Sequence, residues 1–280
     1  MEKTDVEEKI GPDPKGNRRC RLQNEVHLKK DLNISFVQED LIWEDPKANQ
    51  DLFSDYLKEA KSDLFILPEM FSTGFTRDFT ETAPHSSLLW LKEQALGHQT
   101  ALYGSIAWQE DDRAYNRGIW MNPQGDYKVY DKKHLFSYGN EQLTFSAGTN
   151  ILQTEYVGWK FRPLICYDLR FPVWSRNTAP FYDVLIYIAS WPEARRDAWK
   201  TLLKARAIEN QAYVIGVNRI GKDGYNLSYS GDSCVIDFKG NVLLDAQSEK
   251  GRFNTSLSHE ELQAFRSKYP FLQDGDKFKL

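Results

Sequence analysis

The chain lacks most of what would mark a membrane, metal or nucleic-acid protein. No apolar run approaches the roughly 20 residues needed to span a bilayer. Residues 1–8 lack the basic start and apolar core of a secretory signal. Positive charge is not in excess: 36 Lys and Arg stand against 40 Asp and Glu, a net charge of −4. No basic field therefore draws nucleic acid or an anionic membrane. The histidines, His27, His85, His98, His134 and His259, are scattered without a ligand spacing such as His-x-x-x-His, so no metal is expected. No glycine-rich phosphate loop is present. Cysteine is scarce, and Cys20, Cys166 and Cys234 lie far apart, which suits a reducing compartment better than a disulfide framework. These absences predict a cytoplasmic protein without cofactor, nucleic-acid partner or membrane partner.

Aromatic residues are abundant instead. The 8 Trp, 14 Tyr and 16 Phe make up 14% of the chain, enough for a deep core or a large interface. Residues 1–31 are polar, mixed in charge and aperiodic, with Gly11-Pro12 and Asp13-Pro14 as breakers. They read as a flexible tail whose basic residues Arg18, Arg19, Lys29 and Lys30 are solvated. Residues 32–280 read as a single domain. Apolar runs predict strands at 34–37, 64–67, 101–108, 161–166, 184–189 and 213–217, and hairpins pairing 115–121 with 127–134 and 233–238 with 242–245. Helical patterns cover 46–61, with Asp45 as cap and Pro46 in the first turn, then 86–96, 197–210 and 260–268. In the third of these Trp199, Leu202, Leu203 and Ile208 fall near one face. Strands separated by helices imply a mixed α/β fold with helices packed on sheets.

Three strand ends carry chemistry. The run Leu64 to Leu67 stops at Pro68 and presents Glu69. In Tyr130-Asp131-Lys132-Lys133-His134, alternation puts Tyr130, Lys132 and His134 on one face and Asp131 and Lys133 on the other. A third apolar run delivers Cys166 to a polar segment that turns at Phe171-Pro172. A lone strand cysteine is usually a small buried hydrophobe. A strand-to-helix junction would instead expose the thiol at the sheet edge, beside helix N–H groups that favour thiolate. Glutamate, lysine and cysteine together meet the needs of amide hydrolysis. Cys166 would attack the carbonyl, and Glu69 would act as base and then acid. Lys132 and the N–H after Cys166 would hold the oxyanion, at about 3–4 kcal/mol for each such donor.

Leu67-Pro68-Glu69, Lys132-Lys133-His134-Leu135 and the segment from Cys166 to Pro172 resemble, in order, the signature blocks of the nitrilase superfamily, the carbon–nitrogen hydrolases. The likeness runs from about residue 32 to 276. Residues 68–75, 190–192, 205–211 and 230–233 are similar to its bacterial omega-amidase branch, which hydrolyses 2-oxoglutaramate and 2-oxosuccinamate to the 2-oxo acid and ammonia. The resemblance implies a four-layer α-β-β-α sandwich, a homodimer or higher homo-oligomer, a Cys166 thioester and no cofactor. It selects Lys132 over Lys133 and adds Glu141 as a second catalytic glutamate. One departure is visible: Val173 stands where many relatives carry Glu after Arg-Phe-Pro. Arg170 would then pair with Asp168 or another carboxylate as structural support.

A small-molecule amide with a distal carboxylate needs a cation in the pocket, and Arg suits bidentate capture. Arg195 is assigned that carboxylate, with Arg196 as rival. Phe71, Phe75, Tyr138 and Trp191 are assigned to an apolar wall. Alternatives remain: an amidase acting on deaminated glutathione or N-carbamoyl compounds, a Cys–His hydrolase using His134, and a non-catalytic binding subunit. The segment Tyr269-Pro270-Phe271-Leu272 reads as an arm on a partner or a cover on its own core.

Overall fold

Leu64, Phe65 and Ile66 are all buried, and they explain the layering. Successive side chains of a strand point to opposite faces. Leu64 and Ile66 join a core cluster with Trp120, Leu164 and Ile186, whereas Phe65 joins another with Phe53, Leu57 and Leu91. A strand apolar on both faces needs cover on both.

The computed structural model, which describes residues 28–77, 82–276 and 278, meets that need with two six-stranded sheets. The first holds β1 (Asp31–Gln38), β2 (Leu64–Ile66), β3 (Ala101–Glu110), β4 (Arg113–Met121) and β5 (Tyr127–Asp131), with β14 (Gly251–Ser258) beside β1. The second holds β6 (Thr154–Tyr156), β7 (Trp159–Ile165), β8 (Val184–Ala189), β9 (Tyr213–Asn218), β12 (Cys234–Ile236) and β13 (Val242–Asp245). A separate ribbon pairs β10 (Ile220–Lys222) with β11 (Ser228–Ser230). Helices α1 (Pro46–Lys58) and α2 (Thr82–His98) cover the first sheet through the Phe65 cluster. Helices α4 (Arg196–Asn210) and α5 (His259–Lys268) cover the second, and the short α3 (Pro172–Ser175) lies just beyond β7. The order helix, sheet, sheet, helix is the expected four-layer sandwich.

The two sheets share one pattern of strand directions. Strands β1, β2 and β3 are parallel, as are β7, β8 and β9. Each parallel set has an antiparallel strand on either side, β14 and β4 in one sheet, β6 and β12 in the other. Ligand sites in such sheets lie beyond the C-terminal ends of the parallel strands. Glu69 lies just past β2, and Cys166 just past β7.

Some local expectations change. Asp45 does cap α1, accepting from Ala48 N at 3.0 Å. Strand β14 was not anticipated. Its sequence, Gly-Arg-Phe-Asn-Thr-Ser-Leu-Ser, is polar because it is an edge strand that buries only Leu257. Ile208 lies on the exposed side of α4, whose buried face is Trp199, Leu203, Arg206, Ala207 and Asn210. Lys29 is not merely solvated: its ammonium pairs with Asp63 at 2.7 Å and its carbonyl accepts from Trp159 Nε1. The rest of the expected tail, residues 1–27 with Arg18, Arg19 and Cys20, lies outside the described residues. At the other end Leu272 is buried and Tyr269 O accepts from Gln211 Nε2, so this segment covers its own core, with Phe271 left exposed.

Candidate active site

Both sheets contribute to one site. After β2, Leu67 N still bonds Tyr103 O, and Pro68 then ends the ladder so that Glu69 turns inward, fully buried. After β5, Lys132 N bonds Asn116 O at 3.0 Å, which carries the β4–β5 pairing one residue further and directs Lys132 inward. From the second sheet, β7 delivers Cys166 and β8 delivers Ser190. Cys166 sits at φ 45°, the left-handed region that non-glycine residues avoid. Such strain is retained where the surroundings impose it, commonly at reactive positions.

The charged groups form a closed set. Lys132 Nζ lies 2.9 Å from Glu69 Oε1 and 2.9 and 3.0 Å from the two Glu141 oxygens. Glu69 Oε1 also accepts from Asn116 Nδ2 at 2.7 Å, and Glu69 Oε2 from Ser190 N at 2.7 Å. Glu141 Oε2 accepts from Phe136 N at 2.6 Å. Burial alone would lower the Lys132 pKa, but Glu141 and Glu69 outweigh it and raise it well above the ordinary lysine value. Lys132 is thus a fixed cation. Burial pushes the Glu141 carboxyl up, with Lys132 opposing and Glu69 adding.

Burial also pushes the Cys166 thiol well above its ordinary pKa, and Glu69 adds to this against the pull of Lys132 and the Ser190 N–H. The expectation of a thiolate stabilised by a helix N-terminus is therefore corrected. Beyond β7 the chain makes a single 3-10 turn, Cys166–Arg170, and β7 is an interior strand, so the thiol is buried rather than exposed at a sheet edge. One short turn beside two carboxylates does not offset the loss of hydration. The thiol needs a base, and Glu69 is placed to be one.

Cys166, Glu69, Lys132 and Ser190 line one cavity of about 150 Å³. That is small beside the roughly 300–1,000 Å³ of pockets for drug-sized ligands. Phe75, Trp191 and Phe136 form its apolar wall, and Arg77, Arg170 and Arg195 bring guanidinium groups to it.

Against this geometry, the sequence matches the carbon-nitrogen hydrolase family over residues 33–266. This chain belongs to the carbon–nitrogen hydrolase family. It is 42% identical to an omega-amidase YafV of Yersinia enterocolitica, covering 89% of this chain and 98% of the relative. It is 35% identical to a 2-oxoglutaramate amidase of Bacillus subtilis, over 86% of this chain and 96% of the other. A solved Xanthomonas campestris protein of the superfamily, carrying an arsenic adduct in its active site, superposes with a TM-score of 0.84 at 40% identity, covering 89% of this chain and 99% of that one.

Within this carbon–nitrogen hydrolase, the structure brings Glu69, Lys132, Cys166 and Glu141 together, and Phe75, Trp191 and Arg195 reach the cavity. Two residues assigned to the wall do not. Phe71 is buried on the helix-covered face of the first sheet, its ring 5.9 Å from Phe53 and 5.4 Å from Trp90, because Phe71 N still tracks β3 by bonding Ser105 O. Tyr138 lies in the 3-10 turn Ser137–Gly139 and is 86% exposed, and its neighbours Phe136 and Gly139 line the cavity instead.

Arg196 does not compete with Arg195. It turns to Asp232 at 2.7 Å, while Arg195 lies over Phe136 at 4.9 Å. Arg170 makes no ion pair with Asp168. It lies over Trp191 at 5.0 Å and faces the cavity. Asp168 is occupied by Tyr130 OH, Ile165 N and both His134 N and Nδ1. His134 thus has an acidic partner, but it stacks on Phe171 at 3.7 Å and lines a different groove with Lys133 and Trp174. The Cys–His arrangement is not formed.

Sequence reasoning missed Ser190, Asn116, Arg77 and Tyr229, the last of which also lines the cavity. Only Ser190 carried a signal, as a polar residue directly after the apolar run of β8.

Proposed function

We propose that this enzyme hydrolyses the terminal carboxamide of 2-oxo-dicarboxylic acid monoamides, such as 2-oxoglutaramate and 2-oxosuccinamate, to the 2-oxo acid and ammonia. The observation that carries the reading is a buried Glu69–Lys132–Glu141 set beside Cys166, in a small cavity whose remaining cations are arginines. The relatives named omega-amidase and 2-oxoglutaramate amidase support the same substrate class.

In this reading Glu69 takes the Cys166 proton as sulfur attacks the amide carbon. The oxyanion forms beside Lys132 and the N–H of Tyr167. Glu69 returns the proton to nitrogen, the C–N bond breaks, and ammonia leaves a thioester on Cys166. Water gives a proton to Glu69 and attacks the thioester carbon. The C–S bond breaks, and sulfur recovers the proton from Glu69 as the acid departs. Arg195 and Arg170 hold the distal carboxylate, where charge-assisted hydrogen bonds are strongest.

The free thiols Cys166 and Cys234 fit a cytoplasmic enzyme. Exposed Val173 and Phe271 fit a homodimer or higher homo-oligomer. The functional test is ammonia release from 2-oxoglutaramate, 2-oxosuccinamate, glutamine, simple nitriles and carbamoyl amino acids. Preference for the 2-oxo amides, abolished by Cys166→Ala, is the expected result. Activity confined to nitriles or carbamoyl compounds would sink the reading.

A further inference from the structure

Ser190 stands at the end of β8 with a side chain that no catalytic step has yet used. It is 8% exposed and lines the catalytic cavity. Its backbone N–H is engaged, facing Glu69 Oε2 at 2.7 Å and the Cys166 sulfur. Its side-chain hydroxyl, by contrast, has no hydrogen-bond partner among the described residues. A buried hydroxyl without a partner costs free energy, on the order of 1–3 kcal/mol. A position that keeps one in a reaction cavity is explained when a bound molecule completes it.

The surroundings say which part of that molecule. Glu69 Oε1 already takes two donors, Lys132 and Asn116, whereas Oε2 takes one, the Ser190 N–H, so Oε2 has the lone pair to exchange protons with the reacting groups. Oε2 is the oxygen on the Ser190 side. The carbonyl oxygen belongs with Lys132, which sits on the Oε1 side of that carboxylate. The nitrogen that must collect its proton from Oε2 therefore lies beside the Ser190 hydroxyl. A carboxamide nitrogen offers N–H donors, and the hydroxyl oxygen offers lone pairs.

We propose that Ser190 Oγ accepts a hydrogen bond from the scissile carboxamide nitrogen, orienting it toward Glu69 Oε2 for departure as ammonia. Ser190 is then a catalytic residue that favours amides over acyl groups with no N–H to donate. This rests on the amidase reading, and the experiment separates the two.

The test compares Ser190→Ala with the parent enzyme on 2-oxoglutaramate and on the matching S-methyl thioester, whose sulfur has no N–H and accepts hydrogen bonds weakly. The backbone N–H survives the substitution. The ratio kcat/KM reports steps through acylation, so the shared hydrolysis of the enzyme thioester does not enter. Ser190→Ala is expected to lower kcat/KM for the amide on the order of 10- to 100-fold, with the S-methyl thioester changed far less. Equal losses on both, or no loss on the amide, would overturn the assignment. Should Ser190→Ala melt well below the parent enzyme, Ser190→Gly gives the same comparison. If the parent enzyme ignores 2-oxoglutaramate but cleaves propionamide, the substrate reading fails, and propionamide against its S-methyl thioester analogue still decides Ser190. If it cleaves no amide, both fall.

Discussion

Lys132 Nζ is held by both oxygens of Glu141, at 2.9 and 3.0 Å, with neither side chain open to solvent. Glu141 thereby fixes the cation alongside Glu69, and Asn116 Nδ2 reaches both carboxylates. Replacing Glu141 with Gln leaves the buried ammonium with one carboxylate, and breaking such a pair costs roughly 3–5 kcal/mol. The variant should melt lower and lose kcat on the order of 100-fold, with KM for 2-oxoglutaramate little changed. Unaltered kcat in a folded variant would remove Glu141 from the machinery.

Asp168 bridges the two catalytic strand ends. It accepts from Ile165 N at 3.1 Å, next to Cys166, and from His134 N at 3.0 Å, two residues past Lys132. Asp168→Asn keeps the shape and weakens these bonds, so kcat should fall about tenfold while KM holds. His134→Gln should retain most turnover. A thousandfold loss there, with the fold intact by circular dichroism, would reinstate the Cys–His scheme.

The arginines should separate by KM. Arg195→Ala removes a charge-assisted contact, and KM for 2-oxoglutaramate should rise about 10- to 100-fold, with no effect on a neutral amide such as propionamide. Arg196→Ala breaks a pair made by a solvent-screened guanidinium with Asp232 and should change KM little. The reverse pattern would transfer the carboxylate to Arg196.

Alkylation tests the state of the nucleophile. Burial and Glu69 hold the Cys166 thiol protonated, so its reaction with iodoacetamide should keep accelerating as pH rises beyond the ordinary thiol range. Glu69→Gln should remove base assistance and slow alkylation near neutrality. A rate already level at pH 6 would mean a preformed thiolate and sink this account.

Cys234 supplies a stability signature. Burial raises its pKa from 9.0 to about 12. The folded state keeps this proton where the unfolded chain loses it. The contribution is complete below pH 9, declines as pH rises, and is gone above about 12. Cys234→Ala lacks this loss, so the stability gap between parent and variant in urea titrations should narrow between pH 9 and 10.5, by at most about 1.4 kcal/mol per pH unit. A constant gap would refute the shift.

Much of this was legible in the sequence because polar residues interrupt apolar runs only where a strand ends. Glu69 and Cys166 stand out on that ground, whereas Lys132 follows the mixed strand Tyr127–Asp131, and β8 falls at 184–189 as its apolar run predicts. Edge strand β14 was not legible, since a strand with one covered face and a free edge has no continuous apolar run. The aromatic wall was only half legible. Phe71 and Phe75 are alike in type and close in sequence, yet one faces the helices and the other the cavity.

By itself, then, the sequence determined where the strands end, and its likeness to the carbon–nitrogen hydrolases picked Glu69, Lys132 and Cys166 out of those ends. Periodicity and breakers are local properties, and they suffice for the strand ends. Tertiary structure alone decided that Arg170 faces the cavity, that Arg196 turns to Asp232, and that the Ser190 hydroxyl has no partner among the described residues while its N–H bonds Glu69. It also turned the expected thiolate into a buried thiol that needs a base. These outcomes depend on which groups from two separate sheets meet and how much water they exclude, and no local pattern carries that information.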